Sequence, residues 1–182
     1  MSITVAKSAG FCFGVNRAIN IVNSLLDKNV KVSTLGPIIH NMEVVNELES
    51  RGCKAVENID EVEKDATLVI RSHGVPKYVI DKLDENGVKY EDATCPFVKK
   101  IHNIVANPDN KDGIVLIAGN SVHPEVEGII GHCSTECHTF KNSEEIDEIY
   151  NIVLKKNNKQ VFVVAQTTFD TKAVSYTHLR AH

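Results

Sequence analysis

Short apolar runs alternate with segments of helical periodicity along almost the whole chain. Because buried strands are short apolar runs bounded by polar or glycine-containing turns, we predict strands at 3–6, 30–35, 54–56, 67–71, 88–91, 114–118, 138–140 and 161–165. Helical segments lie between most of these runs. Alternation of this kind is typical of βαβ units, so the sequence predicts an α/β protein with parallel sheets.

Three segments carry an apolar stripe at helical spacing, namely 15–26, 98–105 and 146–154. Acidic residues follow Ser143 at once, so we expect Ser143 to be the N-cap of the third helix. The stretch "NPDNKDG" is the clearest loop and a candidate domain boundary. We predict a first α/β domain over 1–95, a second over 96–172, and a poorly structured tail over 173–182.

The composition is that of an ordinary globular protein, with 42% hydrophobic and 24% charged residues. A formal net charge of −4 gives no reason to expect nucleic-acid binding. No apolar run approaches the roughly 20 residues of a transmembrane helix, and the first residues do not read as a signal peptide. The five cysteines are therefore expected in the reducing cytoplasm, as ligands, catalysts or core residues rather than disulfides.

Two cysteines occupy matching positions between a predicted strand and a predicted helix. Cys12 lies in "AGFCFGV", where Gly10 and Gly14 let the backbone turn and approach another group closely. Cys95 lies in "DATCPFVKK", where Pro96 suits the first position of a helix. N–H groups at a helix start favour the thiolate, which binds soft metals and iron–sulfur clusters. A small buried hydrophobic residue is the alternative for each cysteine, and both interpretations stay open.

Histidines follow three other predicted strands: His40, His73 and His123. In open α/β sheets, ligands bind beyond the carboxyl ends of the strands, so we expect a shared pocket. Thr167 and Thr168 add hydroxyl groups at a fourth strand end. Charged imidazoles there could donate hydrogen bonds to a phosphorylated ligand and pass protons. Glu125 suits general acid catalysis, or it is simply a first-turn acid that the helix dipole stabilises.

A second polar cluster lies in "GHCSTECHTF". A zinc site could be drawn on its four side chains, His132, Cys133, Cys137 and His138. The C-x3-C spacing is a weaker signal than paired C-x2-C motifs, and a polar loop beside a short strand is the alternative. Cys53 has no such neighbours, and we interpret it as a packing residue.

Six motifs together resemble one known family. "AGFCFGV", "GPIIHN", "RSHGVPK", "DATCPFVKKIH", "HPEVEG" and "QTT" occur in the order and approximate spacing of the 4-hydroxy-3-methylbut-2-enyl diphosphate reductases, the LytB-type iron–sulfur family. The resemblance runs from the N-terminus to about Thr171. It implies an oxidoreductase of the non-mevalonate isoprenoid pathway, built from three similar α/β domains around a central [4Fe–4S] cluster.

The resemblance also implies roles for individual residues. Cys12 and Cys95 match two of three cluster ligands, one from each domain. The substrate's diphosphate would be bound by His40, His73 and His123, with Thr167 in the same pocket. Glu125 matches the acid that delivers protons. Ferredoxin or flavodoxin would supply the electrons that remove the substrate's hydroxyl group, giving isopentenyl and dimethylallyl diphosphate.

The third cysteine of the family lies in a third domain, beyond the residues of this sequence. We therefore expect these 182 residues alone to be unable to hold the full cluster and to be inactive. Two other functions remain as alternatives. One is a diphosphate-binding fragment without catalysis, and the other is a mononuclear metal hydrolase using His40, His73, His123 and Glu125.

Overall fold

The structure, a computed structural model, describes residues 3–6, 9–107, 113–154 and 160–170. The strands in this part of the chain pair in parallel and form two sheets. The prediction of an α/β protein with parallel sheets is confirmed. Within the same residues, no helix has the length and apolar content needed to cross a bilayer.

The first sheet contains β1 (Val32–Leu35), β2 (Cys53–Val56), β3 (Thr67–Ile70) and β4 (Tyr90–Asp92), in the order β2-β1-β3-β4. Helices α1 (Phe13–Leu26) and α2 (Met42–Ser50) and the 3-10 turn Ile59–Glu61 accompany it. The apolar stripe of α1 buries Ala18 and Val22, which join one core with Val32 and Val69 of the sheet. Burial of this stripe is why the segment forms a helix here.

The second sheet contains β5 (Ile114–Ala118), β6 (Glu136–Phe140) and β7 (Val161–Ala165), in the order β6-β5-β7. Its helices are α4 (Pro96–Val105), α5 (Pro124–His132) and α6 (Ser143–Leu154), and α3 (Lys77–Glu85) packs on α5. Val105, Val115 and Val126 are fully buried in one core between α4, β5 and α5. Strand β5 is apolar throughout because it is the central strand of the three.

The described residues group into two compact units, Met1–Ser72 with Val88–Cys95, and His73–Gly87 with Pro96–His182. The segment with α3 belongs to the second unit, where Pro76 packs so closely on Gly131 that a Cβ there would collide with it. The domain bounds 1–95 and 96–172 stay a prediction. The tail at 173–182 and most of the "NPDNKDG" loop lie outside the described residues.

Two expectations about local structure are wrong. Residues 3–6 form no strand, and Ile3 and Val5 are exposed at 92% and 74%, because no described strand pairs with them.

The N-cap of α6 is Asn142, whose Oδ1 accepts a hydrogen bond from the Glu145 N–H at 2.9 Å. Glu145 in turn accepts from the Lys141 N–H at 2.7 Å, so the helix begins with side chains that satisfy its free N–H groups.

Helix α2 offers a test of capping in the first unit. The Asn41 side chain accepts a hydrogen bond from the Val44 N–H at 3.1 Å. Asn41→Ala should lower the free energy of unfolding by about 1 kcal/mol, because a helix N–H loses its partner. Asn46→Ala, in the exposed interior of the same helix, should raise it by roughly 0.5 kcal/mol, because alanine has the higher helix propensity.

Urea denaturation of the two variants measures both changes. Equal effects of Asn41→Ala and Asn46→Ala would show that the cap contributes nothing. Asn41→Asp should keep the stability of the original chain, because a carboxylate also caps a helix.

Candidate functional site

Cys12 lies in extended backbone directly before α1, at φ −64° and ψ 165°, and it is exposed. The Asn16 side chain fixes this turn, because its amide donates to the Phe11 carbonyl at 2.8 Å. The Asn16 N–H donates to the Cys12 carbonyl at 3.0 Å. Interpreting Cys12 as a buried packing residue is therefore wrong, and its thiol is open to a ligand.

Cys95 follows β4 and directly precedes Pro96, the first residue of α4. Its N–H donates to the Ser72 carbonyl at 2.9 Å, and the Ala93 N–H donates to the Ile70 carbonyl at 3.1 Å. These bonds continue the pairing of β3 and β4 past the ends of both strands. The backbone of Cys95 is thereby held in place, while its side chain is half-buried.

The Cys95 thiol packs against the first turn of α1. A Cβ placed on Gly14 would lie 2.6 Å from the Cys95 Sγ and 3.0 Å from its Cβ, so only glycine fits. Gly14 is two residues after Cys12. The close approach expected at Gly14 is therefore an approach to the second cysteine, and the first unit brings the Cys95 thiol to the turn that carries Cys12.

An arginine that the sequence analysis missed ties these two segments together. Arg17 donates from Nη2 to the Asp92 carbonyl at 3.1 Å and from Nη1 to the Thr94 carbonyl at 3.3 Å. The Asp92 carboxylate accepts from the Thr94 N–H at 2.9 Å and shapes the same loop. The available signal was spacing, since Arg17 is three residues after Gly14 on one face of α1.

His40, the third predicted site residue of this unit, is separated from the end of β1 by four residues and is exposed. It directly precedes Asn41, the N-cap of α2.

In the second unit, His73 and His123 lie against each other. Their ring centroids are 5.5 Å apart and the planes meet at 85°, an edge-to-face contact. Both side chains are half-buried. The structure therefore brings together two of the three predicted histidines within this unit.

His123 is the N-cap of α5, because its Nδ1 accepts a hydrogen bond from the Glu125 N–H at 3.1 Å. A ring nitrogen that accepts a hydrogen bond carries no proton, so the proton of this imidazole is on Nε2. The ring is therefore held in one orientation with Nε2–H as its donor.

Glu125, at the second position of α5, is 2% exposed. Its carboxylate accepts from the Thr167 N–H at 2.6 Å and from the Thr167 hydroxyl at 2.8 Å. Thr167 itself is exposed. The two residues therefore connect a buried carboxyl group to the protein surface through one hydroxyl group.

Thr168 has a different partner, since its hydroxyl accepts from the Gln166 side-chain amide at 2.9 Å. The Gln166 carbonyl oxygen accepts from the Asn120 N–H at 3.3 Å. Gln166, buried at 8% exposure, thus links the ends of β5 and β7 next to Thr167. The sequence analysis missed it, because a glutamine after a strand has no distinctive signal.

The zinc site drawn on "GHCSTECHTF" is wrong. In the part of the chain that the structure describes, no three His, Cys, Asp or Glu side chains are placed to hold a metal ion. His132 stacks on His102 with ring centroids 4.1 Å apart, while the His138 Nε2 lies 2.8 Å from the Glu136 Oε1 in a hydrogen bond.

Cys53 is buried as predicted, and desolvation raises its pKa to about 11.

Comparison with known proteins identifies relatives over almost all of this sequence. A family model described as "LytB protein" matches residues 3–179. A 4-hydroxy-3-methylbut-2-enyl diphosphate reductase of Alkaliphilus oremlandii is 43% identical over 183 residues, covering 100% of this chain and 62% of that protein. The reductase of the same name from Clostridioides difficile is 39% identical, covering 93% of this chain and 60% of that protein.

Two solved structures are similar as well. The structure of (E)-4-hydroxy-3-methyl-but-2-enyl diphosphate reductase, described as the terminal enzyme of the non-mevalonate pathway, matches with a TM-score of 0.81 and 36% identity, covering 96% of this chain and 61% of that one. The structure of an E-1-hydroxy-2-methyl-but-2-enyl-4-diphosphate reductase from Plasmodium falciparum matches with a TM-score of 0.81 and 28% identity, covering 95% of this chain and 54% of that one.

The chain thus spans about 60% of the length of the curated relatives that it matches. The match to the family model over residues 3–179, together with these relatives, establishes that the chain belongs to the LytB protein family.

Proposed function

We propose that this chain forms part of a 4-hydroxy-3-methylbut-2-enyl diphosphate reductase and supplies two cluster ligands, the diphosphate-binding histidines and the proton-donating acid. One observation carries the proposal. The Cys95 thiol lies against Gly14, two residues from the exposed Cys12, so a thiol from a distant part of the sequence lies beside the turn that carries Cys12. The names of the relatives support the same reaction.

The residues at the start of α1 and beside it, Cys12, Gly14 and Cys95, fit an iron–sulfur cluster. Cys12 and Cys95 would hold it, since cysteine thiolates are the ligands of such clusters. The missing side chain at Gly14 gives the Cys95 sulfur its place beside α1. A third thiolate would come from the part of the relatives' length that this chain does not span. When bound, a [4Fe–4S] cluster supplies electrons and a Lewis-acidic iron.

The diphosphate would be bound by His40, His73 and His123. His123 is prepared for this role, because the cap on α5 occupies its Nδ1 and leaves Nε2–H as the donor. The edge-to-face contact between the His73 and His123 rings restricts rotation of the His123 ring. A donor whose orientation is fixed before binding loses less entropy when it meets a phosphate oxygen.

Glu125 and Thr167 form the proposed proton path. A hydroxyl group can accept a proton from the buried carboxyl group while it donates its own proton outward. The exposed Thr167 hydroxyl, 2.8 Å from Glu125, therefore suits transfer between Glu125 and bound substrate.

In the proposed reaction, two electrons and two protons remove the substrate's hydroxyl oxygen as water and leave isopentenyl or dimethylallyl diphosphate. Ferredoxin or flavodoxin would supply the electrons, in the reducing cytoplasm expected for five cysteines without a signal peptide.

A mononuclear metal hydrolase is not favoured. Among the described residues, no group of three metal-binding side chains is placed to hold the ion that it would need. A diphosphate-binding fragment without catalysis remains one outcome of the experiment below.

Anaerobic reconstitution with iron and sulfide tests the proposal on the 182-residue chain. We expect visible iron–sulfur absorbance that is lost in Cys12→Ser and Cys95→Ser and kept in Cys53→Ser, because Cys53 is a packing residue. The cluster should be labile and turnover absent, because one ligand is missing. Colourless, zinc-loaded protein that is indifferent to Cys12 and Cys95 would contradict the proposal. Diphosphate binding without any cluster absorbance would reduce it to the binding-only fragment.

Gly14→Ala tests the contact between the two segments. A Cβ 2.6 Å from the Cys95 Sγ forces a shift, so the variant should lose about 1–3 kcal/mol of stability and most of its iron–sulfur absorbance. Gly14→Ala combined with Cys95→Ala should recover part of the stability, because the sulfur is gone. Denaturation curves measure this coupling. Simple additivity of the two substitutions would show that position 14 does not meet this thiol.

His123 separates capping from ligand binding. His123→Asn should keep the stability, because asparagine is also a good N-cap, whereas His123→Ala should lose about 1 kcal/mol. Both should weaken inorganic pyrophosphate binding by about ten-fold, the effect of one lost hydrogen bond to a charged group. Thermal denaturation and calorimetry measure the two effects. Unchanged pyrophosphate affinity in His123→Asn would remove His123 from the binding site.

A further inference from the structure

The Thr168 hydroxyl group has no part in the proposed function, although it lies next to Thr167. The two threonines are the central residues of a turn, which the Phe169 N–H closes by donating to the Gln166 carbonyl at 2.9 Å. Phe169 packs against the core that contains Phe140, and both threonines are exposed. The backbone and Phe169 therefore hold the turn, while the threonine side chains lie at the protein surface.

Gln166 determines in which direction the Thr168 hydroxyl group can donate. A backbone N–H is always a donor, so the Gln166 side-chain atom that lies 3.3 Å from the Asn120 nitrogen is the amide oxygen. The amide nitrogen is then on the other side, and it donates to the Thr168 hydroxyl oxygen at 2.9 Å. Since that oxygen accepts from Gln166, its own hydrogen points elsewhere and can be donated to another group.

The packing around Gln166 keeps this amide group in place. Gln166 is buried, and its backbone N–H donates to the carbonyl of Ala118, the last residue of β5, at 2.9 Å. Gly119 leaves room for the side chain, because a Cβ there would lie 3.1 Å from both the Cβ and the Oε1 of Gln166. The direction of the amide group, and with it the polarity of the Thr168 hydroxyl group, is therefore set before a ligand binds.

The neighbouring Thr167 hydroxyl group has the opposite polarity. It donates to the Glu125 Oε2 at 2.8 Å, so while Glu125 is ionised it presents lone pairs to solvent. A phosphate oxygen is itself an acceptor and cannot use them. The Thr167 hydrogen turns outward when Glu125 carries a proton, which is the state that the proposed proton path uses. Thr168 is therefore the hydroxyl group that offers a donor in either state of Glu125.

We propose that Thr168 is a further binding residue for the diphosphate, whose hydroxyl group donates to a phosphate oxygen, and that Gln166 is its positioning residue. This inference rests on the proposed function and adds one donor to that site. Thr168 and His123 follow β7 and β5, which pair in parallel as neighbours in the second sheet, so both residues lie at the same edge. Hydrogen bonds to charged phosphate oxygens are stronger than those between neutral groups.

Calorimetry with inorganic pyrophosphate on the 182-residue chain tests the role of Thr168. Thr168→Val replaces the hydroxyl group with a methyl group of similar size. It should weaken binding about ten-fold, the effect of one lost hydrogen bond to a charged group. Thr168→Ser keeps the hydroxyl group and should bind pyrophosphate as the original chain does. Thr139→Val, on strand β6, is the matched control and should leave the affinity unchanged.

A double-mutant cycle tests whether Gln166 acts through Thr168. Gln166→Leu removes the donor that directs the Thr168 hydroxyl group and should weaken pyrophosphate binding several-fold. In the Thr168→Val background the same substitution should have little further effect on affinity. Its cost in stability, measured by thermal denaturation, should persist there, because the contact with the Asn120 N–H is lost in both backgrounds. Equal losses of affinity in the two backgrounds would overturn the positioning role of Gln166.

Unchanged affinity in Thr168→Val, with weaker binding in His123→Asn, would overturn the inference and leave the proposed function intact. Binding that is weakened in Thr168→Ser as much as in Thr168→Val would also overturn it, because the hydroxyl group would then not be what the ligand meets. If the original chain does not bind pyrophosphate, the diphosphate site of the proposed function fails, and this inference fails with it.

Discussion

Parallel pairing of short strands decides where the polar side chains of this protein lie. In each sheet all strands run in the same direction, so their carboxyl ends lie along one edge of the sheet. The loops that follow the strands begin at this edge, and the helices after those loops start there. Cys95 leaves β4 at this edge of the first sheet. His123 and Thr167 leave β5 and β7 at the corresponding edge of the second. Helix starts bring free N–H groups to the same places, so the topology supplies thiols, imidazoles and anion-binding backbone together.

Part-buried hydrogen bonds, most of them to backbone atoms, then fix the side chains within each unit. Arg17 binds two carbonyl groups next to Cys95, while Thr167 supplies both donors to Glu125. Hydrogen bonds to charged groups contribute about 1.5–3 kcal/mol each when they are sheltered from water. Surface ion pairs such as Lys31 with Asp65, whose side chains are 58% and 67% exposed, contribute far less because water screens them. Part-buried contacts to the backbone therefore order these sites, and surface charge does not.

Periodicity in the sequence was enough to predict the α/β class, most strand positions and the placement of Cys12 and Cys95 before helices. It failed where a tertiary partner decides the outcome. Residues 3–6 have strand composition, yet no described strand pairs with them. Asn142 and Ser143 are both good caps by residue type, and the hydrogen bond from the Glu145 N–H to the Asn142 side chain identifies Asn142 as the cap. The spacing of "GHCSTECHTF" could not show that two of its histidines have other partners.

The contact between Gly14 and Cys95 also limits how sequences of this kind can change during evolution. A side chain at position 14 would meet the Cys95 sulfur and Cβ whether or not any ligand is bound. Binding of the proposed cluster and folding of the chain therefore both require glycine at this position. A descendant that did not bind the cluster but kept Cys95 would still need glycine there. Other residues could replace Gly14 only after a smaller residue had replaced Cys95.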